Sequence, residues 1–259
     1  MTAALATLKE RYTWVANEIE RIKPEVDIVA PEFLRRGRGG AILLDALSRD
    51  PSLLECEPKS IIRTFRAAMD LGLEIGSPIG TAYVVPYENR KKGRKEASLI
   101  VGYKGFVQLA GGAFDPPRLV REKDRFEYEY GTHAKIVHVP GAGVGRSRGD
   151  VTHAYAIAHV TGRTVFDVMD RDELDKIKAG AKAKWGPWAE HTDEMFRKCP
   201  LRRLAKYIDL GAAMRKAIEV DDLESLRRGE MGPIREGFET GRAEELKRMV
   251  VDAEVVEEP

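Results

Sequence analysis

RLVREKDRFEYEYGTHAKIVHVPGAGVGRSRGDVTHAYAIAHVTGRTVFDVMD (Arg118–Asp170) is the stretch whose reading decides the fold class. Five runs within it alternate apolar and polar residues and are rich in β-branched and aromatic side chains: Arg118–Lys123, Arg125–Tyr130, Ala134–Val139, Val151–Val160 and Thr164–Met169. Period-two alternation of this kind predicts strands, and glycine-rich turns such as PGAGVGRSRGD (Pro140–Asp150) separate some of them. In Val151–Val160 small residues (Thr152, Ala154, Ala156, Ala158) occupy one face and His153, Tyr155, Ile157 and His159 the other. That second face suits a half-exposed strand or a platform for stacking bases.

Helical patterns flank this block. Upstream, Leu5, Leu8, Tyr12, Val15, Ile19 and Ile22 recur at steps of three and four up to Pro24, which predicts a helix that either packs on its own body or contacts a second subunit. A basic glycine-rich break, RRGRGG (Arg35–Gly40), precedes a short apolar helix. Lys59–Leu71 is a stronger one, with Pro58 in its first turn and Gly72 as its stop. Downstream, Asp170 and Glu173 form a capping-box start, Gly180 a stop, and Asp193–Ile208 a basic helical stretch. Helices, then an antiparallel-type sheet, then helices predict an α+β fold rather than alternating βαβ units.

Two further strand-like runs, Thr81–Tyr87 and Ala97–Tyr103, bracket ENRKKGRKE (Glu88–Glu96) and predict a β-hairpin with a basic tip. Pro86 belongs near a strand end or edge. Arg90, Lys91, Lys92, Arg94 and Lys95 put five cations in six residues, suited either to solvation or to phosphate contact. After Gly102, YKGFVQLA reads as a short helix stopped by Gly111-Gly112.

The formal net charge of the 259 residues is +1, but the charge is unevenly placed: +8 over residues 1–216 and −7 over 217–259. A basic body with an acidic tail fits a polyanion partner, and also fits a tail that merely solvates. A second basic feature is KCPLRRLAKY (Lys198–Tyr207). On an ideal helix Lys198, Arg202 and Lys206 share one face opposite Leu201, Leu204 and Ile208, and no carboxylate lies between Glu194 and Asp209. Pro200 is comfortable there only if the regular helix begins near it, which would leave Lys198 at the entry.

Several chemistries find no support. Cys56 and Cys199 are the only cysteines, so no disulfide framework or zinc-ligand spacing is present. Their scarcity fits a reducing cytoplasm. A phosphate-binding G-x-x-x-x-G-K-[ST] loop is absent, His133, His138, His153, His159 and His191 show no metal spacing, and PGAGVG lacks the context of a dinucleotide site. Glu57-Pro58-Lys59 has the E-x-K spacing of nucleases but sits at a helix start without an upstream strand. The expectation is therefore no catalytic residue, no metal and no cofactor. No apolar run approaches the roughly 18 residues of a membrane span, and no membrane partner is expected.

Five segments follow one another in an order that resembles a known family: LLECEPKSIIRTFRAAMDLGLEIG (Leu53–Gly76), GTAYVVPYENR (Gly80–Arg90), LIVGYKGFVQLA (Leu99–Ala110), DRFEYEYGTHAKIVHVP (Asp124–Pro140) and EMFRKCPLRRLAKY (Glu194–Tyr207). The chain is similar to the RecT family of phage single-strand annealing proteins over roughly residues 50–210. The resemblance implies ATP-independent binding of single-stranded DNA and annealing of complements, with the annealed duplex as product. It also implies homo-oligomeric rings or helical filaments in the bacterial cytoplasm, and partnership with a phage 5′–3′ exonuclease and the host single-strand-binding protein. It further implies a basic DNA-binding groove beside the hairpin and a long helix. The implied organisation is an N-terminal helical region (1–50), a core (51–216) and an acidic partner-binding region (217–259).

Of the residues matching the family pattern, Lys104, Lys198, Arg202, Arg203 and Lys206 are expected as phosphate contacts. Tyr103 is expected near the bases or as a support. Pro200 departs from the pattern, and the strongly basic hairpin tip exceeds it. Rival readings are a passive single-strand-binding protein, a metal-dependent recombination nuclease, and an assembly protein whose basic patches serve acidic partners.

Overall fold

The computed structural model describes residues 7–89, 92–141, 147–181 and 186–229. Within them the chain forms two compact units, one of residues 7–105 with 215–229 and one of residues 106–214. The fold is α+β with small antiparallel sheets.

The first unit opens with α1 (Leu8–Val29), started by a reciprocal capping box of Thr7 and Glu10. Its stripe of Val15, Ile19, Ile22 and Val26 is buried in the unit's own core, which is the first of the two uses expected for it. Pro24 does not end the helix as expected. Burial of Val26 one turn later holds the helical path past the missing N–H.

α2 (Arg38–Arg49) begins inside the RRGRGG segment, so Gly39 and Gly40 are helical and buried rather than part of a loop. A Cβ on Gly40 would lie 2.6 Å from Ile19 Cγ2, and one on Gly39 2.3 Å from Met69 Sδ, so glycine here lets three helices approach closely. α3 (Pro58–Leu71) has Glu57 as N-cap, accepting from Ser60 N at 2.9 Å, and Gly72 as its left-handed stop at φ 69°. Burial pushes the Cys56 thiol up to about 12, which leaves it chemically quiet.

β1 (Ala82–Asn89) and β2 (Arg94–Val101) form the expected hairpin, with Pro86 opposite Ala97. The strands run further than expected, so the tip shrinks to residues 90–93, and Arg94 and Lys95 are strand residues. Among the described residues no strand lies beside the outer edge of β2. Its polar groups meet side chains instead: Ala97 N donates to Ser60 Oγ (2.8 Å) and Ala97 O accepts from Arg63 (2.8 Å). Leu99 N donates to Glu224 (3.2 Å), Leu99 O accepts from Arg228 (3.2 Å), and Val101 N donates to Asp221 (3.3 Å). Asp221 and Glu224 come from α8 (Ala212–Arg227) and are buried. Part of the acidic region expected to serve partners therefore closes the chain's own sheet.

After α4 (Tyr103–Leu109), the second unit is built on the expected strands. β3 (Arg118–Arg121), β6 (Val151–Val160) and β7 (Arg163–Asp170) make one antiparallel sheet in the order β3-β6-β7. β4 (Arg125–Glu129) and β5 (Lys135–Val139) make a separate hairpin. Ala154 and Met169 face α5 (Arg171–Gly180), α6 (Pro187–Glu190) and α7 (Thr192–Leu204), packing with Leu174, Trp188 and Phe196. Tyr155 and Val168 face the other way and pack with Phe126 and Ile136 of the β4–β5 hairpin. The unit is thus layered helix, sheet, hairpin. α5 starts at the expected Asp170/Glu173 capping box and ends at Gly180.

β6 and β7 are joined by the two residues Thr161 and Gly162, both at positive φ (48° and 75°). Positive φ at both positions is a type I′ turn, whose twist suits a hairpin but which disfavours a β-branched residue. Thr161→Asn is therefore expected to stabilise the chain by about 1 kcal/mol. Thermal unfolding should register this as a rise in Tm of about 2–4 °C. An unchanged Tm would mean that Thr161 carries no strain.

Candidate nucleic-acid interface

Of the five hairpin cations, Arg90 and Lys91 lie outside the described residues. Lys92 and Arg94 both converge on Glu96 Oε1, at 3.4 and 3.3 Å. Glu96 is almost fully buried, and burial alone would raise its pKa. The Tyr87 hydroxyl donating at 2.6 Å, Asn89, and the charges of Lys92 and Arg63 outweigh that and lower it to about 2. Lys95 pairs with Glu55 at 2.5 Å on the surface. The dense basic run of the sequence is therefore partly neutralised by carboxylates that fold back to it. The Lys95–Glu55 pair is solvent-exposed, and such pairs are held by no more than about 1 kcal/mol, so a phosphate could replace Glu55 at little cost.

The start of α4 carries Tyr103, half-buried, and Lys104, exposed, with the ammonium 5.8 Å from the Tyr103 ring centre. The flanking glycines explain their placement. A Cβ on Gly102 would lie 2.4 Å from Gly80 O, and one on Gly105 2.3 Å from Thr81 O. Only glycine allows this backbone approach, which turns Lys104 outward.

On α7 the expected stripe of Lys198, Arg202 and Lys206 is not one exposed face. Phe196, Lys198, Pro200, Leu201 and Leu204 are all buried, an arc of more than half the helix circumference that takes in Lys198. The Lys198 ammonium sits 5.7 Å from the Phe106 ring centre. Pro200 lies inside the helix rather than at its start, because burial of the residues around it fixes the helical path. Arg202 is half-exposed. Lys206 is exposed in the turn that follows the helix.

Arg203 turns inward. Its Nε and Nη2 bind the two Asp167 oxygens at 2.5 and 2.8 Å, its Nη1 binds Glu173 at 2.6 Å, and its Nη2 also reaches Val168 O at 2.8 Å. Burial opposes its charge, but the fork onto Asp167 wins and raises its pKa. Burial likewise pushes the Asp167 carboxyl up against the pull of Arg203. Arg203 is thereby engaged in the fold.

The face of β6 considered for stacking is covered at His153 and Tyr155, while His159 at its far end is exposed. Phe126 of β4 lies parallel to Tyr155 with ring centres 5.6 Å apart, and 5.3 Å from the His153 ring. Glu57, of the nuclease-like spacing, is spent as the α3 cap. Among the described residues no group of three or more His, Cys, Asp or Glu could hold a metal ion, and no helix is long and apolar enough to cross a membrane.

These positions fall within a comparison that decides the family. The sequence model of the RecT family matches residues 40–233. The chain belongs to the RecT family. It is similar to Protein RecT of Escherichia coli (strain K12), 33% identical over 213 residues that cover 79% of this chain and 78% of that protein. RecT membership makes it a phage-type recombination and strand-annealing protein, one of a family that binds single-stranded DNA and oligomerises. The RecT match includes residues of both units and omits α1.

Two residues that lie inside the quoted motifs carry roles the sequence reading does not assign. One is Asp124, fully buried at the base of the β4–β5 hairpin. It accepts from Arg121 N and Gly141 N (2.8 Å each), Arg148 Nε (2.7 Å) and Nη2, and pairs with His138 at 3.0 Å. Its partners lie up to 24 residues away, so only the three-dimensional arrangement brings them together. The other is Tyr207, which is 78% exposed directly after Lys206. Its position at the end of the carboxylate-free run was the available signal.

Proposed function

We propose that this RecT-family chain binds single-stranded DNA by its backbone and anneals complementary strands without ATP. The observation that carries the reading is the family match over residues 40–233, which contains the outward-facing cations Lys104, Arg202 and Lys206. Their chemistry suits the task. Lys and Arg on phosphates hold a strand without reading base edges, so the edges remain available for pairing and the complement supplies the specificity. Weak contacts repeated along a ring or filament add through avidity. In the first unit Lys95 offers a phosphate contact of its own, where phosphate exchanges with Glu55. In the second, Lys198 and Arg203 anchor α7 from within.

A phage 5′–3′ exonuclease that generates single strands and the host single-strand-binding protein are the proposed partners. The chain beyond residue 229 is the proposed contact for them.

The test mixes complementary oligonucleotides and follows pairing by fluorescence, with and without ATP. Acceleration at saturating protein without ATP is expected. Binding without acceleration would make the chain a passive coat, and strand degradation with magnesium would make it a nuclease. In the same buffer series, Arg202→Ala and Lys206→Ala should each weaken binding across all sequences and reduce the salt slope by about 1. Unchanged slopes would remove both residues from the interface.

A further inference from the structure

α7 ends at Leu204, but the chain does not loosen there. Ala205 N bonds to Leu201 O (2.9 Å), Lys206 N to Arg203 O (3.2 Å) and Tyr207 N to Leu204 O (3.0 Å). Leu204 and Ala205 are buried, and Arg203 is clamped to Asp167, Glu173 and Val168 O. On this fixed turn the Tyr207 side chain stands 78% exposed, the most exposed aromatic among the described residues. Other exposed tyrosines have uses in the fold. Tyr130 is stacked on Phe166 at 5.2 Å and accepts from Val168 N, and Tyr128 lies edge-on to Tyr130 at 5.5 Å beside Glu127 and Glu129. Tyr207 instead follows the exposed Lys206 and closes a stretch, residues 195–208, without a single carboxylate.

We propose that Tyr207 is a base-stacking residue of the single-strand site, with Arg202 and Lys206 holding the adjoining phosphates. The inference rests on the single-strand-binding reading above and adds to it the contact that phosphates alone cannot make. A ring on a mounted turn presents its face with little ordering cost, and every base offers a π-face, so the contact is sequence-tolerant. Stacking also grips a base by its face and leaves its pairing edge open to an incoming complement. That combination fits annealing better than edge recognition would.

The experiment compares the full chain and Tyr207→Ala, Tyr207→Phe and Tyr207→Trp by fluorescence anisotropy, on an oligo-dT and on an abasic deoxyribose-phosphate strand of the same length. Tyr207→Ala should weaken oligo-dT binding about 5- to 10-fold. It should leave the abasic strand, the salt slope and the melting temperature unchanged, and Phe and Trp should retain oligo-dT binding. Equal loss on both strands, no loss on either, or failure of Phe and Trp to retain binding would overturn the assignment. So would a change of oligomer mass by light scattering, which would make Tyr207 a subunit contact. If the unaltered chain binds neither strand, it is the single-strand reading that fails, and the two failures are distinguishable.

Discussion

Asp124→Ala is expected to cost about 3–5 kcal/mol, the range for breaking a buried charge pair. The carboxylate is out of reach of solvent and gathers five donors from four directions: the Arg121 and Gly141 amides, both nitrogens of the Arg148 fork, and His138. Those bonds fasten the turn before β4 to the loop after β5, and His138 carries the connection on to the Tyr155 hydroxyl at 3.1 Å. A two-stranded hairpin is marginal alone, so without Asp124 the β4–β5 layer should loosen from Tyr155 and Val168. The effect is also pH-dependent. The Arg148 guanidinium, chiefly, holds the Asp124 carboxyl well below the usual carboxylate range, against the opposing effect of burial. A depressed carboxyl contributes fully above its unfolded value of about 4 and loses that contribution as pH falls towards its folded value. Chemical denaturation of the parent and Asp124→Asn should therefore show a stability gap that is widest near neutrality and narrows below about pH 4. A constant gap across that window would show that the charge of Asp124 is not what fastens the hairpin.

Arg203→Ala comes next, at about 2–4 kcal/mol, somewhat below the range for a wholly buried pair because a third of the Arg203 side chain is exposed. The substitution leaves Asp167 buried with its counter-charge gone. Burial already pushes this carboxyl up, so in the variant it should take a proton at still higher pH, and protonation relieves the buried charge. The stability deficit should then be larger at pH 7 than at pH 5, whereas a simple loss of helix packing would be the same at both. Lysine cannot reproduce the two-pronged grip on Asp167, so Arg203→Lys should recover only part of the loss. Urea titrations of the three proteins at both pH values check this. Full stability of Arg203→Ala with lowered DNA affinity would instead make Arg203 a surface phosphate contact.

The strands of residues 118–170 were legible because alternation and turn glycines act locally, as did the Asp170/Glu173 cap and the Gly72 stop. Pro24 does not end its helix and Pro200 does not begin one, because local preference is overridden by the burial of residues on either side of them. Gly39 and Gly40 looked like a loop for the same reason, since the pressure for glycine comes from Ile19 and Met69, remote in sequence. Among the cations, the sequence showed where charge is concentrated but not where it is already answered. Glu55, Asp167 and Glu173 lie between 30 and 40 residues from the Lys95 and Arg203 they engage. Lys104 and Lys206 are exposed, whereas Lys198 is buried near Phe106 and Arg203 is clamped to Asp167.

The edge of β2 sets a clock for the first unit. The contact that closes it at the Leu99 N–H comes from a residue 125 positions further along the chain, and at about 5–20 residues per second of synthesis that residue arrives roughly 6–25 s after the strand itself. Ser60 and Arg63 precede the strand and can already cover Ala97, but throughout that interval the Leu99 N–H and C=O and the Val101 N–H still face whatever is nearby, the condition in which strands pair with the wrong neighbour. The second unit, by contrast, is a continuous stretch and can finish first. Nascent chains are therefore most vulnerable to misassembly just before α8 emerges, and crowded synthesis makes that delay the hazard in producing this protein.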